Sequence, residues 1–144
     1  CRIKFIMDGD VAAAIDTCFE HTGIDIMLGS GGAPEGVLAA AAIKCLGGDF
    51  QGRLIAEEDE EYERCMKMGV NPENLLEMED LVKGEEVYFA ATGITEGNLL
   101  KGVVFGHDDT AVTHSIVMRA ETGTIRFVEA IHRLSKKPYV YGLK

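Results

Sequence analysis

The sequence predicts an α/β fold, with a mixed sheet that starts as parallel βαβ, ends antiparallel, and carries helices on both faces. Three observations predict it. Apolar strand-like runs alternate with helical patterns as far as Gly48, and parallel strands need such crossovers. From Gly102 onward, strand-like runs follow one another with no helical pattern between them, which reads as hairpins. Three candidate strands end on short glycine- or aspartate-bearing loops: Asp8-Gly9-Asp10, Gly29-Ser30-Gly31-Gly32 and Thr92-Gly93.

Arg2 to Met7 is rich in apolar and β-branched residues and stops at the first of these loops, as a buried strand does. Val11 to Glu20 is an Ala-rich helix closed by Gly23, with Asp8 or Asp10 as a candidate N-cap. Asp25 to Gly29 is a second short strand. Pro34 opens a helix through Leu46, ended by Gly47-Gly48; proline inside the start and glycine past the end is the expected asymmetry. Glu57 to Met68 is a third helix, with acids in its first turn and Gly69 as its stop. A short helical segment follows near Glu79 to Val82. Glu85 to Ala91 is a third strand. Gly102 to Phe105, Ala111 to Arg119 and Ile125 to His132 complete the sheet, the last two joined by a turn at Glu121 to Thr124 with Gly123 left-handed. No repeat, low-complexity tract or linker interrupts the chain, so residues 1–144 read as one α/β domain.

The 144 residues are 47% hydrophobic and 26% charged, a globular composition. The net charge of −10 argues against nucleic acid, which needs a basic face, and against an anionic membrane surface. A small anion is still allowed, because local backbone donors can outweigh the global charge. No apolar run reaches the length of a membrane span. The four cysteines show no CxxC spacing and read as free thiols in a reducing cytoplasm. The chain begins at Cys1 and enters a strand-like run at once, which reads as a segment of a longer protein.

In open α/β sheets ligands bind at the carboxyl ends of parallel strands. Gly29, Gly31 and Gly32 let a backbone approach a ligand closely, and the helix after them offers free N–H groups and a positive dipole end to an anion. The same glycines also suit a tight turn with no ligand. Pro34 stands where a dinucleotide fingerprint needs its third glycine. Glu35 lies in that helix's first turn, beside the proposed phosphate. It is either a dipole-matched helix acid or a ligand to a cation bridging to phosphate. Asp8 and Asp10 have the wrong sign to touch phosphate; as carboxylates they cap a helix, bind metal, or accept hydrogen bonds from sugar hydroxyls. Nothing in their setting supports glycosidase chemistry. Thr92 can donate to a ligand or satisfy its own turn. Lys101, Arg119 and Arg126 are candidate anion partners. The four histidines show no catalytic grouping, and the acids from Glu57 to Glu61 read as a solvated helix start.

Asp8-Gly9-Asp10-Val11-Ala12, Gly31-Gly32-Ala33-Pro34-Glu35-Gly36-Val37, Cys45-Leu46-Gly47-Gly48-Asp49 and Ala91-Thr92-Gly93-Ile94-Thr95 resemble, in order and spacing, class II fructose-1,6-bisphosphatases of the GlpX type. The resemblance implies half of a sugar-phosphatase fold, of the inositol monophosphatase and fructose-bisphosphatase kind. It implies metal-dependent hydrolysis of fructose 1,6-bisphosphate to fructose 6-phosphate in gluconeogenesis, with Mn²⁺ or Mg²⁺. By the same resemblance Asp8, Gly9, Asp10 and Gly32 contact the sugar phosphate, and Glu35 is a metal ligand. It covers the C-terminal half of the family's chains. The remaining metal carboxylates and the water-activating threonine belong to the N-terminal half, so no catalytic residue is expected here. The implied partners are a sugar bisphosphate, that other half, and further copies of the protein. Two rival readings stand beside the enzyme: a non-catalytic module that binds a phosphorylated sugar, and an assembly domain with an apolar exposed surface.

Overall fold

The computed structural model describes residues 1–137. Among these residues four α-helices, two single-turn 3₁₀ segments and six strands are formed. α1 spans Asp10–Asp16 and α2 spans Ala33–Leu46. α3 is Asp59–Lys67 and α4 is Met78–Leu81. The strands are β1 Gln51–Gly52, β2 Leu76–Glu77, β3 Tyr88–Thr92, β4 Val104–Phe105, β5 Thr110–Arg119 and β6 Thr124–Arg133.

The helix signals act as composition predicts. Pro34 lies in the first turn of α2, and Gly47 closes that helix at φ 74°. Gly47 and Gly48 N–H groups take the carbonyls of Lys44 and Ile43 that the helix leaves open. Asp59, Glu60 and Glu61 occupy the first turn of α3; Asp59 and Glu60 are exposed and Glu61 is half-buried. α1 differs from expectation at its start. Gly9, at φ 76°, is its N-cap, with no side-chain cap, so neither Asp8 nor Asp10 caps it. A left-handed residue at that point turns the chain sharply without a side-chain acceptor.

β5 is the spine of the main sheet. β3 and β4 pair with it antiparallel, and β6 pairs with it along all ten residues. The β5–β6 turn carries Gly123 at φ 57°. β1 and β2 form a separate antiparallel pair that no sequence signal announced. The α/β class and the antiparallel end are as expected. The parallel βαβ start is not among the described ladders, all of which are antiparallel. Arg2–Met7 and Asp25–Gly29 carry strand composition but no strand assignment. The reason is that a strand is made by its neighbour's hydrogen bonds as much as by its own side chains. Most of their apolar residues accordingly stand in solvent, Phe5 at 89% and Leu28 at 85% exposure, while Met27 packs against the Ala14, Ala39 and Ile43 cluster.

The core sits where α1 and α2 meet one face of the sheet. Ile15, Ala42, Cys45, Phe89, Leu100, Ile116 and Met118 form one buried cluster. Residues directly opposite in an antiparallel pair share a face, and Phe89 opposes Met118 while Ala91 opposes Ile116. A second cluster of Ala14, Ala39 and Ile43 seats α1 on α2. The small alanines let the two helices approach closely. The other sheet face carries polar pairs: Thr92 with Ser115, Thr113 with His132, and Arg119 over the Tyr88 ring. The packing of α1 and α2 therefore falls on the face that carries Phe89, Ile116 and Met118. Lys44, at the end of α2, reaches Glu79 and the Val82 carbonyl, tying α4 down.

Candidate functional site

Packing α1 beside α2 brings the starts of the two helices together, and with them the two glycine-bearing loops. Asp10 opens α1. Its Oδ2 lies 2.8 Å from where a Cβ on Gly31 would sit. Gly32 is the N-cap of α2, in extended conformation at φ −66° and ψ 143°. Glu35 folds back over it: a Cβ on Gly32 would lie 3.2 Å from the Glu35 Cδ and overlap its Oε2. Two adjacent glycines are thus each covered by one carboxylate. The loop can hold both only because neither glycine has a side chain.

The donors at this point are main-chain. Pro34 has no N–H, and the Gly36 N–H is taken by the Gly32 carbonyl at 3.1 Å. The N–H groups of Ala33 and Glu35 remain at the helix start, where the dipole favours negative charge. Asp8, Gly9, Gly31, Gly32 and Glu35 are exposed and Asp10 is half-buried. The arrangement is an open rim of two carboxylates around a helix start with free N–H groups. Among the described residues no three His, Cys, Asp or Glu side chains gather closely enough to hold a metal ion.

The other residues considered from sequence lie elsewhere. The Thr92 hydroxyl pairs with that of Ser115 at 2.8 Å, and its strand runs antiparallel to β5, so it serves the sheet. Arg119 pairs with Glu121 and covers Tyr88. His114 Nδ1 accepts the Lys101 N–H at 3.3 Å and its ring stacks on Phe127. Lys101, His114 and Glu129 line a cleft of about 270 Å³, and Asn71, Asn74, Asp80 and Lys83 line another of about 230 Å³. Neither cleft includes a residue of the two glycine loops. All four cysteines are free; Cys45 is buried and Cys1 exposed. Burial pushes the Cys45 thiol up from its ordinary range.

Residues 1–132 match the family described as bacterial fructose-1,6-bisphosphatase, glpX-encoded. The chain belongs to this family. It is 44% identical, over 91% of its length, to the "D-fructose 1,6-bisphosphatase class 2/sedoheptulose 1,7-bisphosphatase" of Synechococcus sp. (strain JA-3-3Ab), of which the match covers 41%. The protein of the same name from Microcystis aeruginosa (strain NIES-843 / IAM M-2473) is 43% identical over 96% of this chain and 44% of its own. The chain thus spans less than half the length of these curated relatives. Within this bisphosphatase family segment, both loops and the packed helix pair that joins them lie inside the matched residues. What sequence reasoning missed was the contact itself. The position of Asp10 against Gly31 depends on how α1 seats on α2, and alanine spacing alone does not give that register.

Proposed function

We propose that this chain forms the substrate- and metal-binding part of a sugar bisphosphatase that hydrolyses the 1-phosphate of fructose 1,6-bisphosphate, giving fructose 6-phosphate and phosphate. The observation that carries this reading is the convergence of the two loops, Asp10 against Gly31 and Glu35 over Gly32. Membership of the family, and the names of the relatives, support the substrate class.

In this reading each residue type acts according to its sign. Main-chain N–H groups at the start of α2, next to Gly32, hold phosphate oxygens. Asp8 and Asp10, with the turn at Gly9 between them, accept hydrogen bonds from sugar hydroxyls and orient the sugar. Glu35 faces the phosphate as a carboxylate, a repulsive arrangement unless a cation lies between them. Hard oxygen donors of this kind suit Mn²⁺ or Mg²⁺, and such an ion would neutralise phosphate charge and lower the pKa of a bound water. Glu35 fits one side of such a site. A complete metal shell needs ligands beyond these, which agrees with a segment that is part of a larger active centre.

The test is a hybrid in which this chain replaces the matching segment of the Synechococcus relative. Phosphate release from fructose 1,6-bisphosphate with Mn²⁺ is expected in the hybrid and not from the 144-residue chain alone. Glu35→Gln in the hybrid should remove several kcal/mol of metal-borne stabilisation, about 10²-fold or more in rate. Unchanged turnover at saturating metal would sink the assignment of Glu35.

A further inference from the structure

β6 pairs along the whole of one edge of β5, so β3 and β4 share the other. Thr92 ends β3 opposite Ser115, and Val104 begins β4 opposite Val112. The connecting segment, Gly93 to Val103, therefore has Thr113 and His114 at its neck. His114 closes that neck twice. Its carbonyl accepts the Gly93 N–H at 3.0 Å, and its ring Nδ1 accepts the Lys101 N–H at 3.3 Å. The neck is packed backbone to backbone. A Cβ on Gly93 would overlap the Lys101 carbonyl oxygen, and one on Gly102 would lie 2.7 Å from the Glu96 nitrogen. Next to Lys101, Leu100 is buried in the cluster that holds Ile15, and Val11 packs against the same cluster. Val11 and Ile15 belong to α1, whose first residue is Asp10. The ring that holds Lys101 thus holds the neighbour of a residue on which α1 rests.

We propose that His114 is a positioning residue: its neutral ring latches the Gly93–Val103 segment, keeps Leu100 seated in the core with α1 and so holds Asp10 against Gly31, and protonation of the ring releases the latch. Its consequence for substrate rests on the sugar-binding role given to Asp10 above; the latch itself does not. An imidazole nitrogen accepts a hydrogen bond only while it carries no proton. A second proton on the ring turns Nδ1 into a donor facing the Lys101 N–H, and two donors repel. The charges around the ring act in the same sense. Glu129 stands directly opposite His114 on β6 and attracts a cationic ring, whereas the Lys101 ammonium, in the same cleft, repels it. Glu96, the carboxylate of the segment, accepts the Gly102 N–H at 3.1 Å. Phe127, on which the ring stacks, also belongs to β6, so a ring drawn toward that strand keeps its apolar partner while it gives up Lys101.

The test is NMR on the 144-residue chain, following the His114 ring and the amides of Lys101, Val11 and Gly31 as the pH is lowered. Protection of the Lys101 amide, relative to its intrinsic exchange, is expected to fall about 5-fold, the worth of one ordinary hydrogen bond. The fall should track the ring's own titration, and the Val11 and Gly31 resonances should move with it. His114→Asn places an oxygen acceptor near the position of Nδ1 and cannot titrate, so it should keep the protection at every pH. His114→Phe keeps an aromatic ring against Phe127 but has no acceptor, and should show the released values at every pH. In the hybrid enzyme His114→Phe should raise KM for fructose 1,6-bisphosphate about 5-fold, by the same hydrogen bond, with kcat little changed, and His114→Asn should restore it. The proposal is overturned by a Lys101 amide indifferent to the ring's titration, by a folded His114→Phe chain with full protection, or by a released latch that leaves KM unchanged. If either variant fails to fold, the wild-type titration decides. A hybrid without turnover would remove the bisphosphatase reading alone, and the Val11 and Gly31 amides would then decide the latch.

Discussion

A carboxylate beside a glycine loop proposed to bind phosphate looks misplaced until the sign of each neighbour is considered. Glu35 overlies Gly32, and Asp10 abuts Gly31, so an anion entering this loop meets two negative groups as well as the helix end. Only an intervening cation, or hydroxyls that donate to the carboxylates, makes the position favourable. The Gly32→Ala variant probes this directly. Its Cβ would overlap Glu35 Oε2, the free end of a flexible side chain, so the carboxylate moves and the fold stays. We expect Mn²⁺ affinity, measured by calorimetry on the hybrid enzyme, to fall about 10-fold, in the range seen when ligand orientation is disturbed, with an unchanged melting temperature. An unaffected affinity would mean that Glu35 does not ligate from this rotamer. At this scale the residue types were legible from sequence, because sign and hydrogen-bonding capacity are properties of single side chains. The use of Thr92 was not: Ser115 is 23 positions away, and only strand register brings the two hydroxyls together.

At the scale of elements, the punctuation by glycine and proline carried most of the information. α2 runs from Ala33 to Leu46 where Pro34 and Gly47 place it, with Ala39, Ala40, Ala42, Ile43 and Cys45 buried. Gly47 sits at φ 74°, and a Cβ there would meet nothing within 4 Å. Gly47→Ala is therefore a purely backbone substitution and should cost about 1–2 kcal/mol, the penalty of the left-handed conformation for a residue with a Cβ. A shift of the urea midpoint without change of slope would show it. The neighbouring Gly48 differs, since a Cβ would lie 2.9 Å from both Cys18 Sγ and Ile43 Cγ2 and would disturb the α1–α2 seat. The long hairpin β5–β6 was equally legible, because period-two patterning and a Thr-Gly turn are local signals. The strands predicted at Arg2–Met7 and Asp25–Gly29 were not confirmed, because pairing is not a local property.

For the whole molecule, acid is the informative variable. The Lys44 ammonium, bonded to Glu79, holds that carboxyl below the usual carboxylate range, and hydrogen bonds from Ser135 do the same for Asp109. Both folded-state values lie below the unfolded ones. Their contribution is thus present above the ordinary carboxylate range and is lost as pH falls through the folded-state values. These two contacts pin α4 to the end of α2 and the β4–β5 loop to the end of β6. We expect the urea midpoint of the wild type to fall from neutral pH into the acid range, and a Glu79→Gln, Asp109→Asn double variant to show a smaller fall. Equal slopes in the two proteins would remove these groups from the acid response. The net charge of −10 works in the opposite direction, since protonation relieves self-repulsion; the comparison between variants isolates the paired groups from it.

The sequence by itself determined the α/β class, the helix limits marked by Pro34, Gly47 and Gly69, the β5–β6 hairpin, and the chemistry available in Asp8-Gly9-Asp10 and Gly32 to Glu35. These follow from preferences that a residue expresses within a few positions of itself. The tertiary structure decided which loops meet, which sheet face takes the helices, and which strands find partners. Asp10 reaches Gly31 only because Ala14, Ala39 and Ile43 pack α1 against α2. The apolar run of Arg2–Met7 remains in solvent because no described strand supplies its hydrogen bonds. Contacts between distant segments are selected by the burial and pairing of the whole chain, and no local preference encodes them.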